Sequence, residues 1–309
     1  MKKIIALSCG RKNGNSEILL KEAAMGAAEL GVETEIIRAA ELTVKPCSNC
    51  QACVMEMRSG KPAKCWIKDD LDWIIQKTVI DDCGLILGIP IFHARCCGQF
   101  ININDRMLPA TMRHPEVIKK TRVGGIITVG GAGIDWTNLG HVTANVFLQH
   151  TRVLVDQIQI NDAPIQGAVL FDFHKKSLER ARQLGRNVAK AIQLPIEEVK
   201  YMGEKKPMSC PVCHCDVLQV PDAFPNVVCP VCWIHGVIEV KNNKMQISWD
   251  KFESENPRFS DYGIKEHGKY IMSLAKKIAG VEKDPSFNQL KEKYSTYGNI
   301  IKPDNVTVE

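Results

Sequence analysis

Long apolar stretches are missing from this sequence, as are the signals that direct a chain into or across a membrane. No run of about 18 apolar residues occurs, so a membrane-spanning helix is not indicated. The apolar run near the amino terminus is too short for a signal peptide and leads directly into a glycine-bearing loop. Aromatic residues make up only 6% of the chain, so its core must consist mainly of Ile, Val, Leu and Ala. We therefore expect a soluble, cytoplasmic protein without a membrane partner.

A strong charge of one sign is also lacking. The formal net charge is +5, but the chain contains thirteen cysteines, and eight of them fall into two groups built on C-x2-C spacing. In a reducing compartment this spacing indicates metal or cluster ligation rather than disulfides. Four thiolates around a divalent metal, or around a cluster core of the same charge, carry about −2, so the overall balance falls to about +1. We therefore expect no nucleic-acid partner.

The sequence does contain a regular alternation of apolar strands and amphipathic helices. This pattern predicts strands at 3–8, 32–38, 84–90, 123–129 and 151–160, and helices from Ser16 onward, at 69–83 and at 175–194. Such alternation is typical of an α/β fold with a doubly wound parallel sheet.

The composition changes after about residue 200. Residues 203–235 are rich in Pro and Cys, 236–249 form a predicted hairpin, and a helical stretch near 264–279 precedes a polar end that we expect to be irregular. We predict three parts: a cofactor domain at 1–200 with a cysteine-rich insertion at 46–68, a four-cysteine module at 201–250, and a helical tail at 251–309.

The loop after the first strand, from Ser8 to Ser16, has the composition of an anion site. Small and hydroxyl-bearing residues between a strand and a helix present backbone N–H groups and a helix amino terminus to a ligand. The loop lacks the Lys-Ser/Thr ending of a nucleoside triphosphate loop and is not G-x-G-x-x-G. A monophosphate such as that of FMN is therefore the natural ligand. The alternative is an ordinary turn capped by Ser16.

This loop resembles the G-S-x-R-x-x-G-N-S/T phosphate loop of the NADPH-dependent FMN reductase and iron–sulfur flavoprotein families. Residues 90–93, Pro-Ile-Phe-His, are similar to the P-V-Y-F segment of those families, and 128–133 resembles their glycine loop beside the flavin. Asp105-Arg106 falls where many members have a D-R pair. The match covers roughly residues 1–195 and implies a flavodoxin-like fold.

The resemblance also implies which residues bind FMN. It assigns the phosphate to Ser8, Arg11, Asn13, Asn15 and Ser16, and the isoalloxazine ring to Pro90, Ile91, Phe92, His93, Thr128, Gly130, Gly131 and Gly133. The chain departs from the family at 93–95, His-Ala-Arg, where Gly or Ser is common. His93 is a candidate proton donor to flavin or substrate; the alternative is a histidine with a structural hydrogen bond.

The first cysteine group, Cys47, Cys50 and Cys53, has C-x2-C-x2-C spacing that suits three corners of a cubane cluster. Cys65 is the candidate fourth ligand. The iron–sulfur flavoprotein resemblance implies a [4Fe–4S] cluster, because the C-x-I-K-D-D motif that follows the family's fourth cysteine is present from Cys65 onward. The last gap is longer than in the family, which indicates an insertion within 54–64. The alternative is a flap with free thiols.

The second group consists of two C-P-V-C pairs separated by fifteen residues: Cys210 with Cys213, and Cys229 with Cys232. Four sulfurs at this spacing suit tetrahedral Zn²⁺ or a single rubredoxin-type iron. We favour zinc, because rubredoxins have Gly after each pair and this chain has His214 and Trp233. Cys215 and His235 are additional potential ligands.

Together these features predict an FMN-dependent oxidoreductase of the iron–sulfur flavoprotein type. The resemblance implies a ferredoxin-like or NAD(P)H donor, possible reduction of a small-molecule acceptor, and a homodimer or homotetramer with the flavin near the subunit interface. Two alternatives stay open: a cluster-free NAD(P)H-dependent reductase of FMN, quinones or nitro compounds, and a metal-ribbon module that senses redox state or binds a partner.

Overall fold

A computed structural model describes residues 2–221, 223–298 and 301 of the 309-residue chain. The described chain divides into two compact units, residues 1–262 and 263–309. The predicted boundaries near 200 and 250 fall within the first unit and stay a prediction. Residues 299, 300 and 302–309 of the predicted tail lie outside the described residues. Within the described part of the chain, no helix combines the length and apolar character needed to cross a membrane.

The first unit is built on alternating strands and helices. In chain order these are β1 Lys3–Ser8, α1 Asn15–Ala28, β2 Glu33–Arg38, α2 Ala52–Arg58, α3 Leu71–Ile75, β3 Gly84–Phe92, β4 Arg95–Cys96, α4 Gly98–Asn104, α5 Leu108–Arg113, β5 Val123–Gly130, α6 Gly140–Thr151, β6 Val153–Ile160 and α7 Lys175–Ala191. β7 Asn226–Val228, β8 His235–Lys241, β9 Lys244–Trp249 and α8 Lys251–Glu255 follow. The predicted strands and helices are thus present, with shifts of a few residues at their ends.

The main sheet has the strand order β2-β1-β3-β5-β6, with all neighbours parallel, and β4 pairs antiparallel with β3. This order confirms the doubly wound, flavodoxin-like prediction. One apolar cluster packs α1 and α7 against one face of the sheet, and a second packs α3, α4 and α6 against the other. The central strands β1, β3 and β5 are buried on both faces, which explains their nearly continuous apolar sequences.

The predicted helix at 69–83 is shorter than expected. It begins at Leu71, because the preceding Asp69 carboxylate caps the Leu71 N–H and the Asp70 carboxylate accepts the Thr43 N–H instead. After Ile75 it continues as a π-helical turn over Gln76–Ile80. The chain then becomes extended at Asp81, so the last three predicted residues are not helical.

The second unit is helical where it is described. α9 Asp261–Ile278 agrees with the predicted helix, and α10 Pro285–Thr296 follows after a left-handed Gly280. The expectation of an irregular end was therefore wrong for residues 285–296. The Asp284 side chain accepts the Ser286 N–H at 2.8 Å and Pro285 occupies the first turn, which is a standard start for a helix.

Candidate functional site: a flavin cavity and two cysteine groups

The loop between β1 and α1 lies at the carboxyl end of the sheet, where α/β proteins bind ligands. The first bond inside α1 runs from the Ile18 N–H to the Gly14 carbonyl at 3.0 Å, so the N–H groups of Asn15, Ser16 and Glu17 have no partner within the helix. The Arg11 guanidinium is exposed and pairs with no carboxylate among the described residues. Free N–H groups, a helix amino terminus and an unpaired cation together suit a phosphate.

Glu17, on the first turn of α1, pairs with two of the cations near this loop. Its buried carboxylate contacts Arg38 at 2.9 Å and Lys21 at 2.9 Å. Burial by itself would raise the pKa of Glu17, but the hydrogen bonds from Arg38 and Lys21 outweigh burial and lower the pKa to about 2. These two cations are therefore committed to Glu17. Arg11 and the helix terminus remain for an anionic ligand.

An open cavity of about 850 Å³ adjoins this loop, which is within the range of cofactor sites. Eight of the residues assigned to FMN from the sequence line it: Arg11, Asn15, Ser16, Pro90, Ile91, Phe92, His93 and Gly131. Five others are not among the described residues that line it: Ser8, Asn13, Thr128, Gly130 and Gly133. The buried hydroxyl of Ser8 and the buried side-chain oxygen of Asn15 have no hydrogen-bond partner among the described residues. Unpaired buried polar atoms beside a phosphate-type loop fit FMN as the ligand.

The Pro90–His93 segment ends in a tight hairpin. β3 and β4 pair Phe92 with Arg95, which leaves His93 and Ala94 as the two turn residues at φ +47° and +65°. The Leu139 N–H donates to the Ala94 carbonyl at 3.0 Å and holds the turn in place. His93 is exposed on the cavity wall and makes no side-chain hydrogen bond within the described residues. The structural-histidine alternative therefore has no contact to support it.

Several cavity residues were missed from the sequence, among them Ala40, Gln99, Trp136, Thr137, Ala163 and Pro164. Thr137 links several of these residues: its hydroxyl lies within hydrogen-bond distance of two acceptors, Asn161 Oδ1 at 2.7 Å and the Gly133 carbonyl at 3.1 Å, and its single proton can be donated to either. Asn15 Nδ2 donates to the Ala163 carbonyl at 3.0 Å. Trp136, Thr137, Ala163 and Pro164 follow the carboxyl ends of β5 and β6, so strand position could have revealed them. Gln99 lies on α4 and had no comparable signal.

The first cysteine group lies on a surface segment. Cys47 and Cys50 are exposed, whereas Cys53 and Cys65 are half-buried. Residues Asn49 and Gln51 on either side of Cys50 have φ of +54° and +57°. Backbone with such left-handed residues forms concave N–H surfaces of the kind found at iron–sulfur sites.

The thiol contacts of this segment also suit thiolate ligands. The Ala52 backbone N–H and the Ser48 side chain lower the pKa of Cys50. Burial raises the pKa of Cys53, and the neighbouring Cys65 and Cys47 raise it further, so these three sulfurs share one neighbourhood. Among the described residues, the sulfurs of this group do not meet as closely as those of the second group do.

Arg106 joins this cysteine segment to the main domain. Its guanidinium is buried, with 2% of the side chain exposed, and pairs with Asp69. It also donates to the Lys45 carbonyl at 3.0 Å, to the Ile67 carbonyl at 3.2 Å and to Cys65 Sγ at 3.2 Å. Both ends of the cysteine-rich segment are thereby held by one side chain. The sequence marked the Asp105-Arg106 pair but did not indicate this function.

The second cysteine group has the geometry of a metal site. The four sulfurs of Cys210, Cys213, Cys229 and Cys232 all lie within 4.8 Å of one another and are buried. Thiolates about 2.3 Å from one tetrahedral ion are about 3.8 Å apart, so little adjustment is needed to bind one. Among the additional potential ligands, Cys215 does not join the four, and His235 hydrogen-bonds Glu253 at 2.9 Å instead.

The residue after each C-P-V-C pair adopts the left-handed conformation: His214 at φ +53° and Trp233 at φ +58°. Each is stabilised by a ring contact. His214 stacks on Tyr201 with ring centroids 3.6 Å apart, and the Arg258 guanidinium lies 5.1 Å from the Trp233 ring. These contacts help to offset the strain of side chains at positions where glycine is favoured.

The ribbon formed by these pairs and β7–β9 packs against α6 and β6. Gln157 Nε2 donates to the Cys213 carbonyl at 3.1 Å and to the His214 carbonyl at 3.0 Å. Asn145 donates to Gln157 at 2.7 Å, and Gln149 donates to Asn145 at 3.0 Å. The four-cysteine group is thus tied to α6 and β6, the two elements that also adjoin the cavity residues Thr137 and Ala163.

Comparison with known proteins agrees with this description. The model of the NADPH-dependent FMN reductase family matches residues 2–165. An iron–sulfur flavoprotein of Methanocaldococcus jannaschii is 32% identical over 203 residues, covering 62% of this chain and 98% of that relative. One from Archaeoglobus fulgidus is 25% identical over 193 residues, covering 62% and 81%.

A solved structure of a flavone reductase has a TM-score of 0.76 at 23% identity and covers 98% of this chain and 100% of that chain, which shows a shared fold. The resemblance seen in the phosphate loop is thereby confirmed, as is FMN as cofactor. The chain belongs to the NADPH-dependent FMN reductase family and is an FMN-dependent oxidoreductase.

Proposed function

We propose that this oxidoreductase is an electron-transfer iron–sulfur flavoprotein. It would pass electrons between a ferredoxin-like or NAD(P)H donor and an acceptor by means of FMN and a [4Fe–4S] cluster on Cys47, Cys50, Cys53 and Cys65. Bound FMN supplies exchange of two electrons as hydride or of one at a time, and the cluster supplies single electrons. Free thiolate ligands need a reducing compartment, so we place the protein in the cytoplasm.

The observation that carries this proposal is the position of Cys65 relative to the cavity. Gln99 at the start of α4 lines the cavity, and Arg106 just after α4 contacts Cys65 Sγ at 3.2 Å. Seven residues of helical backbone span about 10 Å. The proposed cluster ligand is therefore linked through Arg106 to the helix that lines the cavity in which FMN would bind.

The FMN phosphate would be held by Arg11, Ser16 and the free N–H groups of α1, with Asn15 joining the loop to the end of β6. The isoalloxazine would lie against the Pro90–His93 hairpin and Gly131. His93 is a candidate proton donor, because it faces the cavity and has no competing hydrogen bond among the described residues. The chain's own part in catalysis is to orient the flavin at the sheet edge.

We propose zinc for the ribbon. Four buried thiolates suit either zinc or iron, but His214 and Trp233 depart from the glycines of rubredoxin. A structural metal also accounts for the small β7–β9 sheet, which has little apolar core beyond the cysteines themselves.

We also propose a homodimer or homotetramer that covers the mouth of the cavity. Phe92 and Trp136 line the cavity yet are 60% and 65% exposed, and Ile134 beside them is exposed as well. Apolar side chains grouped in this way are typical of association surfaces. Light scattering coupled to size-exclusion chromatography should give two or four chains per particle, and a monomer would contradict this assignment.

The proposed function can be tested by anaerobic purification with counts of FMN, iron, acid-labile sulfide and zinc. We expect one FMN, four iron and four sulfide per chain, and one zinc. Cys65→Ser should lose sulfide and most of the iron but keep FMN and zinc. Cys83→Ser, which changes a buried thiol outside both groups, is the matched control. It should keep its FMN, iron, sulfide and zinc. Wild-type protein with FMN but without labile sulfide would refute the cluster.

The cluster-free reductase is the second candidate, and the open aromatic rim of the cavity favours it. Phe92 and Trp136 offer ring faces to a planar acceptor beside the flavin. In that case NADPH should bleach the flavin rapidly, and Cys65→Ser should leave turnover unchanged. In the electron-transfer case Cys65→Ser should abolish electron exchange with a one-electron carrier.

A further inference from the structure

We propose that Arg106 is a positioning residue for the cluster: it fixes Cys65 as the fourth ligand and stabilises the reduced cluster through a charged hydrogen bond to Cys65 Sγ. This inference rests on the proposed function, because it concerns the same cluster. It adds to that function a residue outside the cysteine motif, Arg106, and an effect on the reduction potential of the cluster that the motif alone does not explain.

The geometry explains how Cys65 can serve in spite of the long gap that precedes it. Cys65 follows Cys53 by twelve positions; Cys53 lies on α2, which ends at Arg58, and the remaining residues 59–64 leave the position of the Cys65 sulfur loosely restrained. Arg106 removes this freedom, because it bonds Cys65 Sγ, the Ile67 carbonyl and the Lys45 carbonyl at the opposite end of the segment. Asn102 Nδ2 donates to the Val44 carbonyl at 2.9 Å and secures the same end.

Asp69 keeps the guanidinium in this orientation. It pairs with Arg106 and also accepts the Lys45 N–H at 2.8 Å and the Leu71 N–H at 3.2 Å. Arg106 therefore cannot turn away from Cys65 without breaking a buried ion pair, which is strongly destabilising in typical proteins. Its Nε is buried and has no partner in the part of the chain that the structure describes, so one further donor is available in this region.

The charge of Arg106 gives this contact an electronic effect as well as a steric one. Reduction adds negative charge to a cluster and its thiolates, and hydrogen bonds to the sulfurs set its potential. A buried guanidinium 3.2 Å from a ligand sulfur stabilises the reduced form more than the oxidised form. Loss of the charge should therefore lower the midpoint potential and loosen the bound iron.

The chain offers a matched control in Arg122. This guanidinium is also buried and donates to backbone carbonyls, those of Val79, Ile80 and Asp81, but it contacts none of the four cysteines of the first group. Arg122→Gln should reduce overall stability because it too loses hydrogen bonds from a buried guanidinium to backbone carbonyls. It should leave the cluster unchanged.

The test compares anaerobically purified wild type, Arg106→Gln, Arg106→Lys and Arg122→Gln. The measurements are labile sulfide and FMN per chain, the rate of iron release to a chelator, the cluster midpoint potential and thermal unfolding. We expect Arg106→Gln to release cluster iron roughly 10- to 100-fold faster than wild type and to have a lower potential, with FMN retained. Arg106→Lys keeps the positive charge but loses the forked set of N–H donors. Its iron-release rate and midpoint potential should therefore lie between those of wild type and Arg106→Gln. If Arg106→Gln does not fold, the iron-release rate of Arg106→Lys decides the question.

Wild-type release rates and potentials in the Arg106 variants would overturn the inference while the cluster itself stands. The inference would also be overturned if the Arg106 variants differed from wild type only in thermal stability, by the same amount as Arg122→Gln. A wild-type protein without labile sulfide would overturn the proposed function as well. Sulfide counts separate these cases, because a single iron in the ribbon contains none.

Discussion

Gly130 is the position where a single methyl group should disturb the flavin site most. It lies at the end of β5, directly before the cavity residues Gly131 and Ala132. A Cβ at Gly130 would lie 2.1 Å from Thr137 Cγ2, whereas carbon atoms in contact are about 3.5–4.0 Å apart. Thr137 cannot move freely, because its hydroxyl bonds the Gly133 carbonyl and Asn161. Gly130→Ala must therefore shift the glycine loop or Thr137 by more than about 1 Å.

The expected loss of FMN affinity can be worked out from the cost of inserting a methyl group into a packed site. Such insertions cost about 1–3 kcal/mol, and when about 1.4 kcal/mol of this cost falls on the flavin-bound geometry, the Kd for FMN rises roughly tenfold. The assay is the release of FMN from the holoprotein on serial dilution, followed by the fluorescence of free flavin. We expect Gly130→Ala to release FMN at roughly tenfold higher protein concentration than wild type.

A second substitution tests whether the clash with the Thr137 methyl group is the cause. Thr137→Ser removes the Cγ2 methyl group but keeps the hydroxyl and its bonds to the Gly133 carbonyl and Asn161. Alone it should release FMN as wild type does. Combined with Gly130→Ala it should restore most of the lost affinity. Tight FMN binding by Gly130→Ala, or a double variant no better than Gly130→Ala, would refute the steric explanation.

Three further predictions concern stability and metal binding. The pKa of Glu17 is about 2 against an ordinary 4.5, so its ion pairs contribute about 3 kcal/mol above pH 4.5 that is lost as the pH falls toward 2. In denaturant titrations Glu17→Gln should therefore be less stable than wild type at pH 7, and the difference should shrink with acidification; a constant difference would contradict this. Ala94→Gly should raise the free energy of unfolding by about 1 kcal/mol, because φ at Ala94 is +65°, and an unchanged urea midpoint would argue against strain. Cys232→Ser should lower the ribbon metal below one per chain and reduce the unfolding temperature, whereas full metal content would exclude Cys232 as a ligand.

The parts of the fold that follow from local sequence were predicted well. The apolar strands at 3–8, 84–92 and 123–130 are recognisable because burial on both faces leaves few polar positions in them. The boundaries of the helix at 71–80 were not predictable. There the side chains of Asp69 and Asp70 bond distant backbone groups, and no periodicity in the segment reports such partners. The helix at 285–296 was missed, although the Asp-Pro start that marks it is local.

In the candidate sites, too, residues that are close in the sequence were predicted and residues from separate elements were not. Residues in the phosphate loop and in the Pro90 hairpin were predicted because they are contiguous in the chain and resemble family motifs. The second cysteine group was also predictable, since the C-x2-C spacing by itself sets two sulfurs at the distance that one ion requires. By contrast, Gln99, Trp136 and Thr137 reach the cavity from separate elements, so only the packed sheet brings them together.

The sequence by itself determined that this chain is a doubly wound α/β protein with an FMN-type phosphate loop and two cysteine groups, because these features depend on residues within a few positions of one another. Only the tertiary structure decided how the groups are related. Arg106 lies 41 positions from Cys65 and 61 from Lys45, yet one guanidinium contacts both. Contacts over such separations depend on how the helices pack on the sheet. Packing therefore decided that a single arginine holds both ends of the cysteine-rich segment.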